Sequence, residues 1–123
     1  MKLDGSEQKV LINTDMVNPR GIAVHPGLGK LYWTDWNRVD PKIEQANMDG
    51  SGRQVLLSGN LGLPNMLTID YRSNDLCWTD AGLKRIECIK LNGLNRRIIF
   101  TPANYPFDLA IAGQYIYWTD WQR

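Results

Sequence analysis

Carboxylates at a repeated position are the first residues in this 123-residue sequence that could do chemistry. Asp35, Asp80 and Asp120 each follow a Trp-Thr pair, 45 and then 40 residues apart. Paired carboxylates would allow hydrolysis of the glycosidase type, or a metal site. Equivalent positions of successive repeats lie far apart, however, because each repeat folds as its own unit. We therefore expect structural roles, in which each carboxylate accepts backbone N–H bonds from a neighbouring segment.

The two cysteines and the single histidine give little support to catalysis. Cys77 and Cys88 flank the predicted turn at residues 81–83, so they lie on adjacent strands that approach within disulfide distance. We predict a disulfide within one repeat, which implies an oxidising compartment. Zinc is disfavoured because no third ligand accompanies the cysteines. His25 lies in a Pro-Gly turn without a nucleophile motif and is expected to be a surface-loop residue. We predict no catalytic residue, metal or cofactor.

Charge and hydropathy exclude two further classes of partner. Fourteen basic and thirteen acidic residues give a net charge of +1, and the longest basic cluster is Arg96-Arg97. A nucleic-acid-binding protein would show a basic stripe, and none is visible. No apolar run approaches the roughly 18 residues that a membrane-spanning helix needs. We therefore expect neither a nucleic acid nor a membrane as partner.

Three landmarks recur in a fixed order along the chain. The first is a Pro followed three residues later by an apolar residue, the second is (Tyr/Cys)-Trp-Thr-Asp, and the third is (Asp/Asn)-Gly. The Pro landmark begins at residues 19, 64 and 106, the Trp landmark spans 32–35, 77–80 and 117–120, and the Gly landmark spans 4–5, 49–50 and 92–93. Such self-similarity indicates a repeat architecture.

Each repeat has the composition of four short strands. In the first repeat they are predicted at residues 22–24, 30–36, 42–48 and 54–57, rich in aromatic and β-branched residues. Asp49-Gly50 and Asn92-Gly93 are strong hairpin signals. No window shows a convincing helical period. A period of 40–45 residues with four strands indicates an all-β propeller blade.

The motifs Pro-x-Gly-Ile-Ala-Val, Leu-Tyr-Trp-Thr-Asp-Trp and Met-Asp-Gly-Ser resemble the YWTD repeats of the low-density-lipoprotein receptor family and of nidogen. Residues 60–65 and 76–82 are most similar to the nidogen type. The resemblance covers essentially the whole chain and implies half of a six-bladed extracellular propeller. It also implies protein ligands, which for nidogen is a laminin module. Met66, His25 and Asp108 depart from the family pattern and would reshape its loops.

The remaining aromatic residues divide into core and candidate binding residues. Trp33, Trp78 and Trp118 occupy one position of every repeat and are predicted to fill the core between sheets. A partner is expected at one mouth of the ring, since Trp and Arg are typical interface anchors. The residues that we predict to bind it, with support from the resemblance, are Arg20, Trp36, Asn65, Phe107 and Trp121. For Trp36 and Trp121, packing on a loop is an equally good interpretation.

The chain is offset against its repeats, which predicts self-association. The repeat units are about 13–57, 58–100, and 101–123 completed by 1–12, with an outer strand expected at 9–12. Three blades cannot close a ring, since propellers have about four to eight. We therefore expect a C2 homodimer in which residues 2–12 of one chain complete the last blade of the other. About half a strand is missing at the seam between Arg123 and Met1.

Two functions of different classes remain open at this point. The first is a protein-binding or assembly module of the extracellular-matrix type, secreted and of basement-membrane character if the chain is natural. The second is an excised or designed half-propeller without a ligand, that is, a self-assembling scaffold for which a cellular location has no meaning. Scattered carboxylates alone favour an enzyme, so we predict that the chain is not one.

Overall fold

The computed structural model describes residues 1–121 and contains three antiparallel sheets, which we call blades 1, 2 and 3. Blade 1 contains β1 (Pro19–His25), β2 (Lys30–Asp35), β3 (Lys42–Asn47) and β4 (Gln54–Leu57). Blade 2 contains β5 (Pro64–Asp70), β6 (Asp75–Asp80), β7 (Arg85–Lys90) and β8 (Arg97–Phe100). Blade 3 contains β9 (Pro106–Ala112) and β10 (Tyr115–Asp120). Within each blade every strand pairs with the next in sequence, which confirms the all-β propeller prediction.

The turns form where the sequence supplies residues that tolerate a positive φ. Gly50 and Gly93 have φ of 89° and 85° in the hairpins between the third and fourth strands of blades 1 and 2. A side chain would be strained in this conformation, so glycine allows the tight connection. Between β1 and β2 the chain makes a short 3₁₀ turn, Pro26–Leu28, which Gly29 ends in the left-handed region.

The core lies between blades, because each sheet has an apolar face toward each of its neighbours. Tyr32 and Ile43 of blade 1 pack against a patch of blade 2 that includes Trp78. On its other side, blade 2 presents Ile86 to Leu109 of blade 3. Burying each such large apolar side chain stabilises the fold by about 1.5–3 kcal/mol. The blades therefore hold one another in place.

The first eighteen residues form an arm without a strand. Ile12 and Met16 of this arm pack against the face of blade 1 that carries Trp33. The outer strand expected at residues 9–12 is not formed, because no neighbouring strand supplies hydrogen-bond partners among the described residues. Its pairing with another chain stays a prediction. The predicted seam between Arg123 and Met1 lies partly outside the described residues.

The predicted disulfide is confirmed. Cys77 on β6 and Cys88 on β7 lie directly opposite each other and are bonded. Both half-cystines are buried against Leu109 in the joint between blades 2 and 3. The bond therefore fastens two strands of one blade at the place where the next blade packs.

Among residues 1–121 no helix is long and apolar enough to cross a membrane. The same residues contain no group of three or more His, Cys, Asp or Glu side chains placed to hold a metal ion.

Candidate functional site

The candidate site is the edge of the sheets where the first strand of each blade begins and the second strand ends. In every blade the Pro at the start of the first strand pairs with the Asp at the end of the second. The register shifts directly beside this pair in all three blades, as in a β-bulge, which re-aims the side chains that follow. We call this edge the mouth. It carries all five predicted partner-binding residues: Arg20, Trp36, Asn65, Phe107 and Trp121.

The repeated carboxylates lie beside the mouth and accept hydrogen bonds from backbone N–H groups. Asp35 accepts the N–H groups of Val17 and Asn18 at 3.1 and 2.8 Å. Asp120 likewise accepts those of Asn104 and Tyr105 at 3.0 and 2.7 Å. Each carboxylate thereby fixes the segment that enters its own blade. Its oxygens are used by backbone, so the arrangement favours the structural role over catalysis.

Asp80 makes three such contacts. It accepts N–H groups from Gly62, Leu63 and Leu83 at 2.8, 2.9 and 2.8 Å. Asp80 is fully buried. A buried carboxylate needs such donors, since an unpaired one would carry a large desolvation cost. The contacts therefore explain why an Asp can end a core strand.

Threonine hydroxyls join one blade to the next just inside the mouth. Thr34 Oγ1 accepts the Gly21 N–H of its own blade at 2.9 Å and donates to the Asn65 carbonyl of blade 2 at 2.6 Å. Thr79 Oγ1 donates in the same way to the Phe107 carbonyl of blade 3, at 2.7 Å. These bonds fix the relative positions of the strands that carry Arg20, Asn65 and Phe107.

One part of the mouth surface is cationic and aromatic. The Arg20 guanidinium lies over the Trp36 ring, 4.1 Å from its centroid, and the Arg38 guanidinium lies 5.6 Å from the same centroid. Arg20 is exposed and Trp36 is half-buried. Cation–π contact holds both side chains in one arrangement before any partner arrives. The sequence left open whether Trp36 binds a partner or packs within the protein. In the structure its ring packs against the exposed Arg20 side chain and supports it.

A second part of the mouth surface is an aromatic stack in blade 3. The Trp121 ring stacks with both Tyr105 and Phe107, whose centroids are 5.2 and 5.1 Å from its own. Trp121 is 66% exposed, although its neighbours are half-buried. An exposed, pre-ordered Trp is an efficient anchor, because little side-chain entropy is lost when a partner covers it.

Asn65 departs from the expected role. Its side chain is buried, and its Nδ2 donates to the Pro106 carbonyl of blade 3 at 3.3 Å. The amide thus lies in the joint between blades 2 and 3, where a partner protein cannot reach it. Its Oδ1 has no hydrogen-bond partner among the described residues. Asn65 therefore positions the start of β9 rather than offering a contact surface.

His25 lies at the edge of the sheets opposite the mouth and bridges two blades. Its Nδ1 accepts the Leu28 N–H at 3.2 Å, and its Nε2 lies 3.0 Å from Asn74 Oδ1 of blade 2. The ring also meets Tyr71 edge-on at 5.1 Å. The sequence predicted only a surface-loop histidine; the contacts with Asn74 and Tyr71 add that it helps to hold blade 2 against blade 1.

Sequence reasoning missed an ionic clamp that occurs once in each of blades 1 and 2. Arg53 pairs with buried Glu44 at 2.8 Å and donates to the Thr14 and Asp15 carbonyls at 2.9 and 3.0 Å. Arg96 pairs with Glu87 and binds two carbonyls in the same way. The sequence does contain a signal for this ion pair, because a Glu and an Arg recur nine residues apart in both repeats. The clamp fixes the chain segment that leads into each blade.

The clamps also lie over the core tryptophans. Arg53 is 5.6 Å from the centroid of Trp33, and Arg96 is 5.5 Å from that of Trp78. Both tryptophans are buried, whereas Trp118 of blade 3 is half-buried. The arrangement of Trp, Glu and Arg that blades 1 and 2 share thus belongs to the architecture of a blade rather than to a ligand site.

Comparison with known families identifies the repeat. Residues 29–71 match the low-density lipoprotein receptor repeat class B. This stretch begins before β2 and ends just after β5, so it contains one complete sequence repeat.

Three curated relatives match nearly the whole chain. A human low-density lipoprotein receptor-related protein 5-like protein is 37% identical over 98% of the chain, and nidogen of Drosophila melanogaster is 45% identical over 98%. The vitellogenin receptor of Solenopsis invicta is 38% identical over 97%. The chain spans 48%, 12% and 7% of the length of these relatives, respectively.

Solved structures give the same result. The nidogen chain of a nidogen/laminin complex is 48% identical, with a TM-score of 0.92 over 98% of this chain and 46% of its own. A gluconolactonase of Xanthomonas campestris is 22% identical, with a TM-score of 0.71 over 85% of this chain and 35% of its own, which shows a similar fold only. The described residues therefore form a three-blade segment of a YWTD β-propeller that carries the low-density lipoprotein receptor class B repeat and resembles the propeller of nidogen.

Proposed function

We propose that this segment is part of an extracellular protein-binding module whose protein partner docks on the mouth. The observation that carries the proposal is the exposed Trp121, which stacks with Tyr105 and Phe107 on the same edge as the Arg20–Trp36 pair. Trp and Arg that are already ordered are the side chains that contribute most to protein–protein affinity. The Cys77–Cys88 disulfide supports an oxidising, extracellular location.

The chemistry of the mouth fits a partner with acidic and apolar groups side by side. Arg20 is exposed and fixed by Trp36, so it can pair with a carboxylate without first losing side-chain freedom. Trp121 offers an apolar face and a ring N–H to the same partner. The solved structure that the chain matches at 48% identity is a nidogen/laminin complex, so a laminin fragment is the first partner to test.

No catalytic activity is proposed. The repeated carboxylates are occupied by backbone N–H groups, and the likeness to a gluconolactonase extends to the fold alone. No cofactor is proposed either.

The proposal is tested by titrating the chain with the laminin fragment that binds nidogen. Arg20→Ala and Trp121→Ala should each weaken binding at least about tenfold, which corresponds to about 1.4 kcal/mol. Leu94→Ala is a matched control, because Leu94 is also 66% exposed and lies in the outer turn of blade 2. Equal affinities for all three variants would contradict the location of the site.

The second candidate is a self-assembling half-propeller without a ligand. It is favoured by the apolar faces that blades 1 and 3 leave exposed, at Ile22 and Tyr117. A wild-type chain that self-associates but binds no laminin fragment would support this candidate over the first.

A further inference from the structure

A cavity of about 480 Å³ opens between blades 1 and 2, at the edge of the sheets opposite the mouth. Both blades contribute to its walls: Lys30 and Tyr32 belong to β2, Lys90 ends β7 and Leu91 follows it. We call it the inter-blade cavity. Its volume lies within the range of small-molecule sites, which is about 300–1,000 Å³. Blades 1 and 2 both have four strands, so the walls do not involve the outer faces of blades 1 and 3.

The inter-blade cavity is positively charged. Lys30 Nζ donates to the neutral amide of Asn47 at 2.6 Å, and no carboxylate of residues 1–121 forms an ion pair with it. Lys90 Nζ lies 3.3 Å from Asp75 Oδ2, an oxygen that Arg97 also contacts at 2.9 Å. The residues that line the cavity include two lysines and no acidic residue. A cleft with charges of one sign attracts a ligand of the opposite sign, so the lining favours an anion.

The Tyr32 hydroxyl is a further hydrogen-bond donor that the protein leaves unused. Tyr32 is 1% exposed and lines the cavity, and its hydroxyl has no hydrogen-bond partner among the described residues. Burial raises the pKa of this hydroxyl above its usual value, so the group keeps its proton. A neutral hydroxyl of this kind can donate to an oxygen that enters the cavity.

Contacts between the two blades hold the walls of the cavity in place. His25 Nε2 lies 3.0 Å from Asn74 Oδ1, and the Tyr71 hydroxyl donates to the Val24 carbonyl at 2.6 Å. Asn74 lines the cavity, and its backbone carbonyl accepts the Leu91 N–H at 2.9 Å. Because these groups are already ordered, a ligand loses little free energy to ordering the site.

The size and lining of the cavity indicate an organic anion rather than an inorganic ion. Its volume is larger than one small ion needs, and Leu28 and Leu91 give it apolar surface. The lysines come from different blades, so they can contact different oxygens of one charged head group. A phosphate or sulfate ester presents three acceptor oxygens, which matches two ammonium groups and one hydroxyl.

We propose that the inter-blade cavity binds a small organic phosphate or sulfate ester. The charged head contacts Lys30, Tyr32 and Lys90. A ring-sized apolar body lies against Leu28 and Leu91. This site is at the edge opposite the mouth, so it is independent of the proposed protein partner.

The first test is calorimetric titration of the 123-residue chain with four probes that share a phenyl ring. Phenyl phosphate and phenyl sulfate carry the tetrahedral head, benzoate carries a planar one, and benzyl alcohol is neutral. We expect at least one of the two esters to bind with a Kd below about 1 mM, and the tighter ester shows which head the site prefers. Benzoate and benzyl alcohol should bind at least about tenfold more weakly. Benzoate or benzyl alcohol binding as tightly as the esters, or no binding of either ester, would overturn the proposal.

Two conservative variants test the head-group contacts with the tighter ester. Lys30→Gln removes a charge and should raise the Kd at least about tenfold, whereas Tyr32→Phe removes only a hydroxyl and should raise it about threefold or more. Lys42→Gln is the matched control, because Lys42 is also a half-buried lysine of blade 1 but lies at the mouth end of β3, paired with Asp40. An unchanged Kd in Lys30→Gln, or an equal rise in Lys42→Gln, would contradict the site.

Amide chemical shifts in two-dimensional NMR locate the bound ester and keep the test independent of any variant. We expect shifts at residues 28–32, 73–74 and 90–92, which surround the inter-blade cavity. Shifts confined to residues 18–21 and 36–38 would place the anion on the cationic part of the mouth and overturn the proposal. The measurement needs no laminin, so the ester site and the protein-binding mouth can fail separately.

Discussion

Asp80 accepts the backbone N–H of Leu63 at 2.9 Å and so connects the end of β6 to the segment that enters the same blade. The residue is fully buried and also receives the N–H groups of Gly62 and Leu83. Asp35 makes two such bonds in blade 1. The carboxylate is thus a fixed part of each blade, and its contribution to the free energy of unfolding depends on how many N–H donors it satisfies.

Asp80→Ala should lower the free energy of unfolding more than Asp35→Ala does. Each buried donor that loses its acceptor costs about 1–3 kcal/mol, and Asp80 serves three donors against two. Urea unfolding of the two variants measures the difference. Equal or reversed losses would show that the number of satisfied donors does not set the contribution.

Gly21 is predicted to be indispensable to the joint between blades 1 and 2. A Cβ added there would lie 2.8 Å from the Asn65 carbonyl oxygen and 2.9 Å from the Met66 Cα. Both are backbone atoms, which can move away only if the strand shifts. Gly21→Ala should therefore destabilise the chain by about 1–3 kcal/mol, as overpacking does. Gly59→Ala is the control, since a Cβ there meets nothing within 4 Å. A similar thermal midpoint for the two variants would refute the close approach.

The two ionic clamps should respond differently to loss of their arginine. Glu44 pairs with Arg53, whereas Glu87 pairs with Arg85 as well as Arg96. Removing Arg53 therefore leaves a buried carboxylate without its cation, at a cost of about 3–5 kcal/mol. Arg96→Met should cost less than Arg53→Met in chemical denaturation, because Arg85 remains in place. The opposite order would show that the contacts to the carbonyls dominate the clamp.

Asp75 is predicted to contribute to acid stability. Burial opposes its ionisation, but hydrogen bonds from Arg97, Ser73 and Lys90 outweigh that effect and hold the pKa at about 2. A lowered folded-state pKa stabilises above the unfolded value of 3.8, and the contribution is lost as pH falls through about 2.

Asp75→Asn should therefore flatten the fall in stability between about pH 4 and pH 2, a change on the order of 1–2 kcal/mol. The free energy of unfolding of both proteins, measured across that range, gives the comparison. An identical acid limb for wild type and variant would contradict the assigned role of Asp75.

The strands of blades 1 to 3 could be predicted from the sequence, because local composition and repetition determine them. Four strands were expected in the first repeat, and the fourth, Gln54–Leu57, lies where it was predicted. The Cys77–Cys88 bond was also predictable, since a hairpin places the two residues opposite each other. These features depend on neighbours in sequence.

Features that depend on neighbouring blades were harder to predict. Asn65 has the sequence position of a surface residue, yet the start of β9 covers it, which only the packing of blade 3 on blade 2 determines. The same holds for the arm at residues 9–12, whose strand needs a partner that is not part of its own blade. The five residues predicted to bind a partner lie at one edge, because all blades place the same positions there; that a partner binds at this edge stays a prediction.

The central claim, that a protein partner docks on the mouth, is tested most directly by hydrogen–deuterium exchange with and without the nidogen-binding laminin fragment. We predict protection in the peptides that form the mouth, which are residues 18–21, 36–38 and 105–107, and no change at the opposite edge, residues 26–29 and 71–74. Protection confined to the opposite edge, or none at saturating laminin, would contradict the claim.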